Sequence, residues 1–257
     1  MFRILLIILL LVGAGSNGWA ALDSSVNARL DDLLARLIAR GWPEETLAAL
    51  LGDERVAIYP EIVGRKGKGL NYRSRQFGLF TKKSVKEGRV VLQANQPLLR
   101  KIEADYGVAK EVLVAILRVE TNFGRAKGSR PVFNSLLTMA LVENRRSAWA
   151  EGELEQLLLL SHETSRDPLS IKGSWAGAFG LPQFIPSSYR KYGADGNRDG
   201  KVDLDNLSDS FASIANYLKA FGWNPQDPAK KKEAVYAYNH CDNYVQAIFD
   251  YARALKR

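Results

Sequence analysis

The stretch that most restricts the fold is Glu111–Glu120, in which Val112 to Leu117 and Val119 are all apolar or small. At helical spacing Leu113, Ile116, Leu117 and Glu120 share one face, so the run reads as a strongly apolar helix that carries a carboxyl group among hydrophobic neighbours. Gly124, four residues on, marks a chain reversal beside it. Burial disfavours the charged form of a carboxyl, and a raised pKa keeps it protonated near neutral pH, the state a general acid needs to protonate a glycosidic oxygen. On spacing alone the commoner reading is a structural glutamate paired to Arg118 or Arg125 at the helix end.

The rest of the chain repeats the helical period. Leu30, Leu33, Leu34, Leu37 and Ile38 place a helix over Val26–Arg40, stopped by Gly41. Pro43-Glu44-Glu45 starts a second, short helix that Gly52 closes. Further helices are expected over Ser84–Asn95, Pro97–Tyr106 with Gly107 as its stop, Ala148–Glu163, Leu207–Ala220, and from Lys230 to the C-terminus with a break near Asn239. Two glycine-rich loops, Lys172–Gln183 and Asp195–Asn206, lie between them, and Gly64–Lys83 reads as a basic loop around Tyr72 and Phe77. There is no sustained period-two alternation and no internal repeat, so any sheet should be small. The expected class is mainly α and cleft-forming, with little or no β.

The 257 residues, 46% hydrophobic and 25% charged, suit one large domain or two intimate lobes. A formal charge of +8 attracts polyanions: nucleic acid, anionic lipid or an anionic cell wall. The start of the chain chooses among them. Met1-Phe2-Arg3, the apolar run Ile4–Val12 and Gly18-Trp19-Ala20-Ala21 have the order of a secretory signal peptide over residues 1–21, with an apolar run too short to span a bilayer. Export argues against nucleic-acid binding. Cys241 is the only cysteine, so no intramolecular disulfide forms, and none follows the signal to serve as a lipoprotein attachment point. A soluble periplasmic protein without a stable membrane anchor is expected.

Several separate motifs then agree in order. Val119-Glu120-Thr121-Asn122-Phe123-Gly124, Asn144-Arg145-Arg146 and the long run Gly173-Ser174-Trp175-Ala176-Gly177-Ala178-Phe179-Gly180-Leu181-Pro182-Gln183-Phe184-Ile185-Pro186-Ser187-Ser188-Tyr189 closely resemble the lytic murein transglycosylase B family. The likeness continues through Asn216-Tyr217, Gly222-Trp223, Tyr236-Ala237-Tyr238-Asn239 and Tyr244, from about Tyr72 onward. The resemblance implies a lysozyme-like core with an added helical lobe over residues 22–257. It also implies cleavage of the bond between N-acetylmuramic acid and N-acetylglucosamine in peptidoglycan with formation of a 1,6-anhydro ring. On that resemblance Glu120 is expected to act first as acid and then as base, without the second carboxylate of ordinary glycosidases.

By the same resemblance Ser174 and Asn239 bond the muramoyl sugar, Gln183 lines its pocket, and Tyr217, Tyr238 and Tyr244 shape the walls. Tyr72 is a further cleft tyrosine, although the glycine- and lysine-rich run before it departs from the family's pattern. Arg145 and Arg146 suit the carboxylates of the stem peptide. Glu143 and Glu151 read as surface acids, and Asp167 as turn chemistry.

Asp195-Gly196-Asn197-Arg198-Asp199-Gly200-Lys201 follows the order of an EF-hand loop, with Lys201 offering its carbonyl and Asn206 standing where a bidentate glutamate is usual. A turn held by its own side chains is the alternative; the resemblance favours a structural calcium ion and no catalytic cofactor. Neither His162 nor His240 has a partner at zinc-site spacing. Peptidoglycan strands are the expected partner, with other cell-wall enzymes as further candidates and no nucleic acid. A hydrolase on the same fold and a non-catalytic wall-binding module are the competing functions.

Overall fold

The computed structural model describes residues 24–64 and 70–257; the signal-peptide segment and residues 65–69 of the basic loop lie outside the described residues. The chain forms two compact units. The first comprises residues 24–64, 128–178 and 185–187, and the second 70–127, 179–184 and 188–257.

The first unit begins with α1 (Ser24–Ala39) and α2 (Glu44–Leu51). Val26, Leu30, Leu33, Leu34 and Leu37 form the buried stripe of α1 that the leucine spacing predicts, and Pro43 opens α2. α6 (Val132–Leu141) and α7 (Ser147–Thr164) form the centre of this unit and pack on each other. Every residue of α6 is buried, its Asn134, Ser135 and Thr138 included, and the sequence reading left it unassigned. Two of its polar side chains are used locally: Thr138 accepts the Tyr59 N–H at 2.9 Å, and Asn134 donates to the Arg55 carbonyl at 2.8 Å.

Arg130–Pro131 (β1) pairs antiparallel with Lys172–Gly173 (β2), the one sheet among the described residues. Its end is closed by two glycines. A Cβ on Gly128, whose φ is +87°, would lie 2.1 Å from the Gly173 carbonyl oxygen, so only a residue without a side chain lets these backbones meet.

The second unit holds α3 (Lys82–Ala94), α4 (Gln96–Tyr106), α5 (Lys110–Thr121), α9 (Leu207–Ala220), α10 (Pro228–Tyr238) and α11 (Asp242–Lys256). The short α8 (Pro186–Tyr192) enters it. α5 lies at the centre and packs on α3, α4, α9 and α11. Val112 to Leu117 are six consecutive buried residues, so the middle of this helix is apolar on every side, and its charged residues, Lys110, Glu111, Arg118 and Glu120, fall at its two ends. Thr81 caps α3 and Asp227 caps α10. Residues 239–241 break the C-terminal helical stretch into α10 and α11, as the sequence suggests at Asn239. The protein is therefore mainly α. Among the described residues no helix is long and apolar enough to cross a membrane.

Gly128→Ala is expected to lower the unfolding free energy by about 2–4 kcal/mol, the sum of a left-handed alanine and a backbone clash. Gly152→Ala, where a Cβ in α7 meets nothing within 4 Å, is expected to raise it by up to about 1 kcal/mol. Urea denaturation of the two variants measures the contrast, and equal effects would contradict the packing described.

Candidate active site

Glu120 occupies the last turn of α5, the end at which the helix changes direction. The Asn122 N–H bonds the Arg118 carbonyl and the Phe123 N–H the Leu117 carbonyl, and Asn122, Phe123 and Gly124 are all left-handed, with φ of 50°, 57° and 86°. Left-handed backbone is tolerated by asparagine and glycine, whereas in Phe123 it stores strain on the order of 1–2 kcal/mol. Thr121 fixes this corner: fully buried, its hydroxyl donates to the Leu181 carbonyl at 3.1 Å and accepts the Gly124 N–H at 3.1 Å. The packing leaves no spare room, since a Cβ on Gly124 would fall 2.8 Å from Leu181 Cδ2.

Neither arginine pairs with Glu120. Arg125 pairs with Glu87 at 3.0 Å, and buried Arg118 donates to Ser84 Oγ at 2.9 Å with its guanidinium 5.8 Å from the Phe77 ring. The group that Glu120 does meet is the Tyr244 hydroxyl, which donates to Oε1 at 2.6 Å. The residue as a whole keeps some exposed surface, but its carboxyl group is enclosed, and burial raises its pKa from the ordinary 4.5 to about 7 against the smaller, lowering effect of the Tyr244 hydrogen bond.

An aromatic cluster surrounds this carboxyl. Tyr72 meets Tyr244 edge-on at 5.9 Å, Tyr238 stacks parallel to Tyr244 at 6.4 Å, and Tyr217 meets Tyr238 at 4.9 Å. Burial, and then the nearby Glu120 charge, push the Tyr238 and Tyr244 hydroxyls well above the usual tyrosine range; the same two causes push Tyr72 up to about 12. Burial alone leads the rise of Tyr217 to about 12. Two hydroxyls brace the scaffold, Tyr238 donating to the Pro182 carbonyl at 2.6 Å and Tyr217 to the Ala237 carbonyl at 2.8 Å.

Gln183, itself at φ 52°, donates from Nε2 to the Lys127 and Gly180 carbonyls, so its nitrogen holds the loop. Asn239 is half-buried in the break between α10 and α11. Glu120, Tyr72, Tyr217, Tyr238, Tyr244, Gln183 and Asn239 thus belong to the second unit. Ser174, Arg145 and Arg146 belong to the first. The Ser174 hydroxyl oxygen accepts the Ala176 and Ala178 N–H groups, which leaves its proton to be donated elsewhere. Arg145 is exposed, and Arg146 lies 3.9 Å over the Trp149 ring. Glu143 and Glu151 form surface pairs with Arg29 and Arg36, and Asp167 accepts the Leu169 N–H of its own turn and pairs with Arg55.

In the loop over residues 195–206, Asp195 accepts the Arg198, Asp199 and Gly200 N–H groups, and Asp199 accepts that of Lys201. Asn206 Oδ1 accepts the Ser208 N–H and caps α9. The carboxylate that ties the loop together is one that sequence reasoning missed: Asp209, 1% exposed, accepts the Gly196 N–H at 2.9 Å and the Asp203 N–H at 2.7 Å. Its signal is an acid three residues after a capping asparagine. Among the described residues no group of three or more Asp, Glu, His or Cys side chains is arranged to hold an ion. A cation in this loop would rest on Asp195, Asp199, the Asn197 amide oxygen and backbone carbonyls, an all-oxygen set that suits calcium.

The comparisons with known proteins decide the family, because the transglycosylase SLT domain matches residues 25–233. The chain belongs to this transglycosylase family. Over 160 residues it is 39% identical to membrane-bound lytic murein transglycosylase B of Escherichia coli K12, a match that covers 62% of this chain and 44% of that one. The chain thus matches less than half the length of this curated relative. Its fold superimposes on the soluble lytic transglycosylase SltB1 of Pseudomonas aeruginosa with a TM-score of 0.81 at 25% identity, over 88% of this chain and 97% of that one. The Escherichia coli lytic transglycosylase Slt35 in complex with calcium matches with a TM-score of 0.77, also at 25% identity, over 93% and 95%. The class expected from the sequence, mainly α with a lysozyme-like core, is the one these transglycosylase structures share.

The raised pKa of Glu120 has a definite sign in folding. The folded state prefers the protonated form, so this contribution to stability is complete below about pH 4.5 and is lost as pH rises through about 7. Glu120→Gln should therefore gain on the wild type by about 2–3 kcal/mol between pH 5 and pH 8. Denaturant melts at the two pH values give the difference, and a change in the opposite direction would remove the buried-acid assignment.

Proposed function

We propose that this transglycosylase-family protein is a periplasmic murein lytic transglycosylase, exported by residues 1–21, and that Glu120 is its acid and base. The observation that carries the reading is an enclosed carboxyl with a pKa near 7, bonded by Tyr244 and walled by tyrosines. Protonated Glu120 gives its proton to the oxygen between N-acetylmuramic acid and N-acetylglucosamine as the bond from that oxygen to the muramoyl anomeric carbon breaks. The carboxylate so formed then takes the proton of the muramoyl 6-hydroxyl as that oxygen closes on the anomeric carbon. Glu120 ends protonated, no water is consumed, and one group serves both steps, in contrast to a paired-carboxylate glycosidase.

In this reading Tyr244 holds the carboxyl in place and moderates its pKa. Tyr72, Tyr217 and Tyr238 offer flat faces to the sugars. Ser174 and Asn239 bond the muramoyl residue, Gln183 contributes Oε1, and Arg145 and Arg146 take stem-peptide carboxylates. The basic charge of the chain suits an anionic wall polymer. Calcium is proposed as a structural ion held by Asp195, Asn197, Asp199 and the Lys201 carbonyl, with Asn206 spent on capping α9 and Asp209 bracing the loop from behind.

Digestion of purified sacculi is expected to yield muropeptides ending in 1,6-anhydro-muramic acid, one water lighter than hydrolysed ends in the mass spectrum. Glu120→Gln should lower the rate by at least about a hundredfold. Reducing muramoyl ends alone would make the protein a hydrolase, and undiminished solubilisation by the variant would remove Glu120 from the chemistry.

Adding millimolar calcium to chelator-treated protein is expected to raise the melting temperature by a few degrees, consistent with ligand-linked stabilisation of about 1–3 kcal/mol. Asp195→Ala should abolish the rise. A melting curve indifferent to calcium would favour the self-bonded turn.

A further inference from the structure

The second unit contains a cavity of about 600 Å³ that shares no residue with the Glu120 cluster. It is lined by α3, α11 and the segment before α3, and six cations face it: Arg73, Lys82, Lys86, Arg89, Arg253 and Arg257. The walls are set by close packing, since a Cβ on Gly88 of α3 would lie 2.6 Å from both Leu255 Cδ2 and Tyr251 Oη of α11. The Tyr251 hydroxyl locks the pair by donating to the Ser84 carbonyl at 2.6 Å.

Among the described residues Asp250 is the one acidic side chain lining the cavity, and it is already engaged by Arg73, Arg253 and the Gln246 amide. Among the described residues Lys82, Lys86 and Arg257 form no ion pair. Arg89 is also uncompensated: one terminal nitrogen donates to the Ala254 carbonyl at 2.8 Å, and its buried Nε has no acceptor. Several like charges held in one concavity repel one another, and a ligand carrying more than one negative charge removes that cost. Guanidinium forks and ammonium groups together favour phosphate oxygens, which present several acceptors per group where a carboxylate presents two. Phe80 and Val85 add an apolar wall on which the uncharged part of such a ligand can lie.

We infer that this basic cavity is a binding site for a phosphate-bearing anion, either the headgroup of an anionic lipid or a soluble phosphate ester. It lies apart from the proposed chemistry, so its test does not depend on Glu120. The full chain is mixed with vesicles of phosphatidylcholine with and without phosphatidylglycerol and sedimented, and pyrophosphate is titrated into it calorimetrically. The same is done with Lys82→Glu/Lys86→Glu and with a charge-matched control, Arg100→Glu/Lys101→Glu, on the exposed face of α4. Loss of vesicle binding by about tenfold or more in the first variant, with the control near wild type, assigns the lipid headgroup. The same pattern with pyrophosphate and not with vesicles assigns the soluble source. Equal weakening by both variants would reduce the effect to overall charge, and absence of binding to either probe would overturn the site outright. Lys86→Gln, a single exposed change, repeats the comparison if the double variant fails to fold.

Discussion

The structure of the site depends on the desolvation of one carboxyl group. α5 is buried around nearly its whole circumference, so a glutamate in its last turn is enclosed by protein on the sides where a surface helix would offer water. Its position at the C-terminal end adds to this, because the partial negative charge of the helix terminus opposes ionisation. One polar contact is granted, the Tyr244 hydroxyl, which stabilises the carboxylate enough to hold the pKa near neutrality. A second carboxylate beside Glu120 would raise its pKa further by repulsion, and an arginine would lower it. The pairing of Arg125 with Glu87 and the diversion of Arg118 to Ser84 keep both arginines away from the acid.

The same desolvation explains the aromatic lining. A tyrosine beside a buried acid has to be a poor acid itself, or it would compete for the negative charge. Burial and the proximity of Glu120 raise the Tyr72, Tyr238 and Tyr244 hydroxyls, so all three remain neutral donors while Glu120 changes state. Tyr238 and Tyr217 spend their protons on backbone carbonyls of the unit they line, which makes the rings rigid surfaces.

How much of this could be read from the sequence follows from the kind of signal each part leaves. Amphipathic helices such as α1 leave a period, and α5 leaves an apolar run long enough to be unambiguous. α6 leaves a weaker mark: it is only ten residues long, and its polar stripe of Asn134, Ser135 and Thr138 is buried instead of solvated, so those residues look like loop residues until the fold is known. The close approach of Gly128 to Gly173 spans 45 positions and carries no local mark. The setting of Glu120 was legible as an acid among apolar residues, but whether Arg118 or Arg125 pairs with it was settled only by where those arginines go. The aromatic contacts were legible only through resemblance, since spacing cannot bring Tyr72 to Tyr244. In the acidic loop, matching residues to a linear template put Asn206 among the ligands and overlooked Asp209, because the template ends where α9 begins.

That loop bears on the acid through a short mechanical route. The Leu204 carbonyl, inside the loop, accepts the Leu181 N–H at 2.8 Å, and a Cβ on Gly180 would lie 2.4 Å from Leu204 Cβ, so the 180–183 segment is pressed directly onto the loop. Leu181 in turn accepts the Thr121 hydroxyl, one residue from Glu120, and packs against Gly124 at the strained corner. Left-handed Phe123 persists only if its surroundings over-determine it. The backbone of the acidic loop is one of those surroundings, held from behind by buried Asp209. Shape fixed in the loop is therefore transmitted by two hydrogen bonds and two close contacts to the turn that follows Glu120.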